Sequence, residues 1–319
     1  MLRRSIVNCL AENPGPTARG LLRAPTATAP ARGFATAPRA MTLAAAGQFC
    51  ATSSPAANLA AVRALVRQAA AVHARVLFLP EASDYIAGSP AETVALAEPV
   101  ESSLFVTGLQ AELRALGTLA VSVGVHEPAG ERVKNTLLYL DETGAIVHRY
   151  QKVHLFDVAY TDGPVLNESR SVEPGTAVEP PFATPLGAVG PAICYDIRFP
   201  EQALRLRSLG ADIIVYPSAF TVLTGQAHWE VLGRARAIDT QSYVIMAAQV
   251  GAHDAAGTRR SWGHAMIVDP WGTVLAQCAS SDPAPRICVA DIDLSVVARV
   301  RKNMPLWTQR RPDVFGHEV

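Results

Sequence analysis

The chain has 319 residues, 49% of them hydrophobic, and its 28 basic and 28 acidic side chains balance to a formal net charge of zero. That is enough apolar material for a large core, in one long α/β domain or two. The neutral balance and a pI near 7.1 leave no electrostatic footprint for nucleic acid, and no uninterrupted apolar run of about eighteen residues marks a membrane span.

Residues 1–40 stand apart. They hold six arginines, no lysine and a single acid, Glu12, in an Ala/Thr/Pro-rich background without a long apolar stretch. This composition predicts a transit peptide, mitochondrial rather than secretory, with an untargeted disordered tail as the alternative. Met41 opens the ordered sequence, so translation from it would give a cytosolic form. One domain is expected over 41–319.

From Thr42 onward strands and helices alternate, which predicts an α/β fold with helices covering sheets. Residues 43–49 read as a strand. Residues 58–73 read as a helix with Leu59, Val62, Leu65 or Val66, Ala69 and Val72 on one face. "RVLFLPE" (75–81) is a buried strand ending at Pro80-Glu81. A helix over 101–116 turns Leu104, Leu109, Leu113 and Leu116 inward. A strand over 118–127 follows, and a hairpin over 135–152 turns at Asp141 to Gly144. Residues 156–186, rich in Pro and Gly, are expected to form a long functional loop. Then come a strand (187–194), a helix (200–209), a strand (212–220), a helix (226–240) and a single strand over 243–250. A second hairpin (264–277) repeats the pattern of the first, with Asp three residues before Gly between apolar strands, which hints at two pseudo-symmetric halves. A strand over 286–294 and a helix over 294–302 close the domain.

Three residues with chemistry sit at strand ends: Glu81 after "VLFLP", Lys152 after "RYQ", and Cys194 after "GPAI". In α/β folds active residues gather where strands end, and an ionisable group beside a buried strand is costly unless paired or functional. An acid, an ammonium and a thiol make a coherent set for nucleophilic hydrolysis. The carboxylate takes the thiol proton as sulfur attacks a carbonyl carbon. The ammonium and the backbone N–H of Tyr195 hold the oxyanion, and the carboxyl returns the proton to the departing amine, following Ser-His-Asp logic. The structural alternatives are a helix cap for Glu81, a surface charge for Lys152 and a core filler for Cys194. The five cysteines, at 9, 50, 194, 278 and 288, form no CxxC pair and no metal-like spacing with His, which suits free thiols. Cys50, Cys278 and Cys288 lie in or near apolar strands and read as core.

"LPE" (79–81), "RYQKVHLFD" (149–157) and "CYDIRFPE" (194–201) resemble, in order, the three catalytic blocks of the nitrilase (carbon–nitrogen hydrolase) superfamily, and the resemblance runs over residues 42–316. It implies an αββα sandwich as a single catalytic domain that assembles as a homodimer or higher homo-oligomer. It also implies amidase chemistry through a cysteine thioester, with no metal and no organic cofactor. By position it makes Glu81 the general base, Lys152 the oxyanion-stabilising lysine and Cys194 the nucleophile. Glu168, sixteen residues past the lysine, becomes the carboxylate that holds it.

With "YPSAF" (216–220), "GQAHWEVLGRARAIDTQ" (225–241) and "RRPDVFG" (310–316), the cysteine block resembles the Nit branch. The branch implies hydrolysis of deaminated glutathione, in which the γ-glutamyl amine has become a ketone, to alpha-ketoglutarate and cysteinylglycine. The alternative substrate is alpha-ketoglutaramate, taken by omega-amidases, which tend to carry Ala at Pro200 and Gly at Ser218. An idle scaffold of the same fold and a thiol redox sensor built on Cys194 are the other classes. An anionic substrate asks for a cation, and the planar fork of Arg198 suits a carboxylate unless it pairs with Asp196 or Glu201. Ser218, Phe220, Thr221 and His228 are further candidate pocket residues. Small molecules are the expected partners, with no nucleic acid and no membrane.

Overall fold

Small side chains fill the strand Leu43–Phe49, and their alternation divides the molecule. Ala44 and Ala46 join one buried cluster with Val76, Phe78, Val189, Ile214 and Ile245, whereas Ala45 and Phe49 join another with Leu59, Val62, Leu109 and Leu113. Successive strand residues point to opposite faces, so this strand meets a second sheet on one side and a helix layer on the other.

The computed structural model describes residues 41–159, 165–279 and 282–316. The expected transit peptide over 1–40, with Cys9, lies outside them. Among the described residues a nine-stranded sheet is built around Leu43–Phe49, which pairs in parallel with Val76–Phe78 and Ala248–Ala252 and antiparallel with Arg286–Asp291. It continues through Ala120–Ala129, Arg132–Leu140 and Ile146–Gln151. The second sheet has six strands. Its parallel centre is Gly187–Pro191, Ile213–Val215 and Tyr243–Met246. Parallel strands buried on both faces read as unbroken apolar runs, and these do. Helices Pro55–Ala71 and Leu104–Leu116 pack on the outer face of the first sheet. Helices Pro200–Ser208 and Val222–Thr240 pack on that of the second. The architecture is the expected αββα sandwich.

Several element boundaries differ from the expectation, each for a local reason. Ser54, Ser103 and Thr221 cap helix N-termini with their side-chain oxygens. The three helices therefore begin at Pro55, Leu104 and Val222 rather than at 58, 101 and 226. Leu104, now in the first turn, is 50% exposed instead of inward. A short helix, Pro90–Leu96, was not expected at all. The run over 243–250 is two strands: Tyr243–Met246 belongs to the second sheet and Ala248–Ala252 to the first, with Ala247 crossing between them. A continuous apolar run carries no periodicity to mark such a switch. The irregular stretch over 156–186 holds an antiparallel pair, Asp157–Ala159 with Val165–Asn167, followed by a 3-10 turn, Glu168–Arg170.

The two similar hairpins do fall in equivalent places, one in each sheet. Asp141 Oδ1 accepts from the N–H groups of Thr143 and Ala145, and Asp269 Oδ1 from those of Trp271 and Thr273. Each turn then passes through a glycine at positive φ, Gly144 at 77° and Gly272 at 85°, a conformation other residues adopt only at a cost.

Candidate active site

Strand Gly187–Pro191 leads to Cys194, the first residue of a 3-10 turn, Cys194–Arg198. Cys194 has φ +46°, a left-handed conformation that costs a residue with a Cβ about 1–3 kcal/mol and persists only where the surroundings impose it. Here they do. The Cys194 N–H donates to Pro217 O at 3.0 Å. Two residues on, the fully buried Asp196 accepts from Ile193 N (2.9 Å), Tyr150 OH (2.7 Å) and His154 N (3.0 Å). Tyr150 and His154 flank Lys152, so Asp196 fastens the cysteine turn to the end of the strand that carries the lysine.

Lys152 is 1% exposed, and its Nζ donates to Glu81 Oε1 at 2.9 Å and to both Glu168 oxygens at 2.9 Å. It is no surface charge. Glu81 follows Val76–Phe78 and Pro80 and caps no helix. Its Oε1 also accepts from Asn135 Nδ2 at 2.8 Å, and its Oε2 accepts from Ala219 N at 2.9 Å. Glu168 is held in turn by Phe156 N (2.7 Å) and Asn135 Nδ2 (3.2 Å). The Cys194 thiol lies within electrostatic reach of both Glu81 and Lys152. The fold therefore brings Glu81, Lys152, Glu168 and Cys194 into one buried cluster.

The charges in that cluster follow from its contacts. Burial pushes the Glu81 carboxyl up, but the Lys152 charge and hydrogen bonds from Lys152 and Asn135 outweigh it and hold the group below the usual carboxylate value. Burial works against the Lys152 ammonium, yet the Glu168 and Glu81 charges carry it well above the usual lysine value. The Cys194 thiol is raised well above its usual value, first by burial and then by the Glu81 charge, with Lys152 opposing. At neutral pH the cluster is thus a neutral thiol beside a carboxylate and an ammonium. Such a thiol gives up its proton only as it attacks.

Gly124 lets Glu81 sit where it does. A Cβ there would lie 2.6 Å from Glu81 Cα, and the Gly124 N–H donates to Pro80 O. Gly124→Ala is expected to displace Glu81 and lower kcat by about 100-fold, the effect of roughly 1 Å of misplacement. Steady-state kinetics beside a melting curve would check this, and wild-type kcat in a folded variant would contradict it.

An aromatic wall stands next to the cysteine. Tyr195 packs edge-on against Phe156 and Phe199, and His154 stacks on Phe199 at 3.6 Å. The Arg198 guanidinium lies 5.7 Å from the Tyr195 ring centre and 5.6 Å from that of Phe220, and its Nη2 is 3.3 Å from His228 Nδ1. Arg198 thus meets Phe220 and His228 and pairs with neither Asp196 nor Glu201. Ser218 is not brought to this wall as a free hydroxyl, because it is fully buried and donates to Tyr216 O. Thr221 spends its side-chain oxygen on Thr224 N as a helix cap. Trp229, beside His228, is core and donates to His264 O.

Two contributors were not singled out from sequence, Asn135 and the Ala219 N–H. Counting back from the Asp141 turn does place Asn135 opposite Lys152, whose N–H donates to Asn135 O. A backbone N–H such as that of Ala219 leaves no mark in a sequence. Cys278 and Cys288 are buried as expected, while Cys50 is only half-buried. Cys278 and Cys288 are both free thiols, and Cys288 Sγ donates to Ala265 O at 3.3 Å.

Residues 43–302 match the carbon–nitrogen hydrolase family. The chain belongs to that family and is a hydrolase acting on amides. It is 48% identical over 280 residues to the probable hydrolase nit2 of Schizosaccharomyces pombe, covering 86% of this chain and 99% of that one. It is 45% identical over 275 residues to the deaminated glutathione amidase of Mus musculus, covering 84% of this chain and 83% of that one. The crystal structure of the C. elegans NitFhit protein superposes with a TM-score of 0.80 at 38% identity; the match covers 86% of this chain and 66% of that longer one.

Proposed function

We propose that this enzyme hydrolyses the amide bond of deaminated glutathione to alpha-ketoglutarate and cysteinylglycine through a thioester on Cys194. The observation that carries the mechanism is a buried thiol next to a carboxylate that an ammonium and two amide donors hold in place. The choice of substrate is supported by the likeness to the mouse amidase.

Glu81 takes the thiol proton as the Cys194 sulfur attacks the amide carbon. Lys152 Nζ and the Tyr195 N–H hold the oxyanion. Tyr195 lies in the first turn of its 3-10 segment, where an N–H has no carbonyl of its own helix to meet, whereas the Cys194 N–H is engaged by Pro217. The protonated Glu81 passes its proton to the departing nitrogen, and cysteinylglycine leaves. Glu81 then takes a proton from water as that water attacks the thioester, and the expelled thiolate recovers it. Glu168, gripping Lys152 with both oxygens, keeps the ammonium aimed. Arg198, stacked on two aromatic rings, is the cation for the carboxylate of the acyl end, with Phe220 and His228 bracing it.

The test is kcat/KM for deaminated glutathione against alpha-ketoglutaramate, with both products quantified. A preference of about tenfold or more for deaminated glutathione is expected, within the range that pocket contacts supply. The reverse preference would assign an omega-amidase, and inactivity on both an idle scaffold.

Two further proposals concern partners and place. Val231 (67% exposed), Ile238 (45%) and Trp271 (60%) leave apolar surface on and beside helix Val222–Thr240, which supports burial against a second copy of the chain. Light scattering is expected to give a dimer or larger for wild type and a smaller species for Val231→Glu. The composition of residues 1–40 supports mitochondrial import, with a start at Met41 leaving the same domain in the cytosol. A single protein size in a single cell fraction would end that idea.

A further inference from the structure

In the reading above, on which this inference rests, the substrate carries one carboxylate on its acyl part and another on the leaving cysteinylglycine. Arg198 accounts for one. We propose that Arg259 binds the other and so selects amides whose leaving group is anionic.

Arg259 lies between strands Ala248–Ala252 and Arg260–Trp262, in a turn to which the sequence assigned no role. Asp254 shapes that turn, accepting from Thr258 N, Thr258 Oγ1 and Arg259 N. Both neighbours of the turn are segments that carry site residues, Phe220 on one and Glu81 on the other. On one side Trp262 N donates to Phe220 O, and Ser261 forms a bridge with Thr221. On the other, Arg259 Nη1 donates to Ala87 O at 2.8 Å, in the segment that runs on from Glu81. Gln249, on the strand before the turn, donates to the carbonyls of Glu81 and Ala82 at 3.0 and 3.3 Å. The guanidinium is therefore tethered to the segment that runs on from Glu81, and the strand that follows Arg259 is fastened to the Phe220 segment.

Its surroundings leave it free to act. Among the described residues Arg259 makes no ion pair within reach of a carboxylate, and one side-chain contact to a carbonyl leaves most of its five N–H donors available. Arg259 keeps an exposed face; desolvation of the rest lowers its pKa, with the Glu81, Glu168 and Asp254 charges opposing. Arg260, the next residue, opens the strand Arg260–Trp262, and its charge acts on Cys50 instead.

The assignment of ends follows from the proton route. Glu81 returns its proton to the departing nitrogen, so the leaving group extends on the Glu81 side, where Arg259 is anchored. Arg198 stands on the aromatic wall with Tyr195 and Phe220, at the acyl end. Alpha-ketoglutaramate has the same acyl part but releases ammonia, and so offers Arg259 nothing to bind.

The experiment is steady-state kinetics of wild type, Arg259→Gln, Arg259→Lys and Arg260→Gln on deaminated glutathione and alpha-ketoglutaramate. Losing a charged hydrogen-bonded contact should cut kcat/KM for deaminated glutathione about 10- to 100-fold in Arg259→Gln, mostly through KM. Alpha-ketoglutaramate turnover should change far less, Arg259→Lys should recover part of the loss, and Arg260→Gln should behave as wild type. Equal losses on both substrates would make Arg259 a structural residue, and no loss on either would leave it no role; each overturns the inference while the function stands. Wild type that fails on deaminated glutathione overturns the function and this inference together.

Discussion

Cys194→Ala protein is expected to lose turnover of deaminated glutathione by about 10⁴- to 10⁶-fold, the scale on which nucleophile deletions act, while remaining folded. Nothing else in the cluster can replace the sulfur. Glu81 and Glu168 are each committed to Lys152, and a carboxylate so held is poised to move a proton rather than to attack. Added hydroxylamine should divert the wild-type thioester to the alpha-ketoglutaryl hydroxamate without slowing cysteinylglycine release, and the variant should form none. Turnover with no hydroxamate at any hydroxylamine concentration would sink the covalent route. Cys194→Ser is the sharper control. It keeps an attacking atom beside Glu81 at the same positive φ, so its residual activity measures how much of the rate belongs to sulfur.

Lys152→Met is expected to fail in two separable ways. Breaking a buried ion pair costs about 3–5 kcal/mol, so Tm should drop by on the order of 10 °C in a domain this size. Loss of an oxyanion donor should lower kcat by at least about 100-fold. The double variant Lys152→Met/Glu168→Gln removes one stranded carboxylate and should regain stability but no activity; regained activity would deny the lysine a part in the chemistry.

The pH dependence of stability should also change sign. In wild type the folded-state value of Glu81 is depressed. Its contribution is therefore present above the unfolded value and lost as pH falls through the folded one. Without Lys152, burial becomes the leading influence and the folded value rises above the unfolded one. The fold then binds the extra proton, so Tm of the variant should increase on mild acidification from neutral pH while that of wild type does not. Parallel melting curves across that range would decide it.

The parts of this site visible in the sequence were the ones that broke a pattern. Glu81, Lys152 and Cys194 each interrupt an apolar strand end, where an ionisable or reactive group needs a reason. Glu168 had no such signal, and only its spacing in a known family pointed to it. Asn135 is a polar residue among many until strand pairing sets it opposite Lys152, and Arg259 is one of two adjacent arginines until the fold sets its guanidinium against the Ala87 carbonyl. Capping explains the helix starts equally plainly: Ser54 and Thr221 lie upstream of the starts at 58 and 226 that apolar periodicity set, whereas Ser103 lies inside the helix expected from 101 and cuts its first turn away. The crossing at Ala247 left no trace, since Val244 to Val250 are buried throughout and either sheet would accept them.

That crossing bears on how the enzyme fails. The base and the lysine rise from strands of the first sheet, and the nucleophile from a strand of the second. The approach of the thiol to Glu81 therefore spans the seam between two halves, as does the Ala219 N–H bond to Glu81, and the segment through Ala247 is a covalent hinge pin holding them in alignment. Activity becomes a vernier for that seam. A small slip between the layers would silence the enzyme while every helix and strand stayed intact.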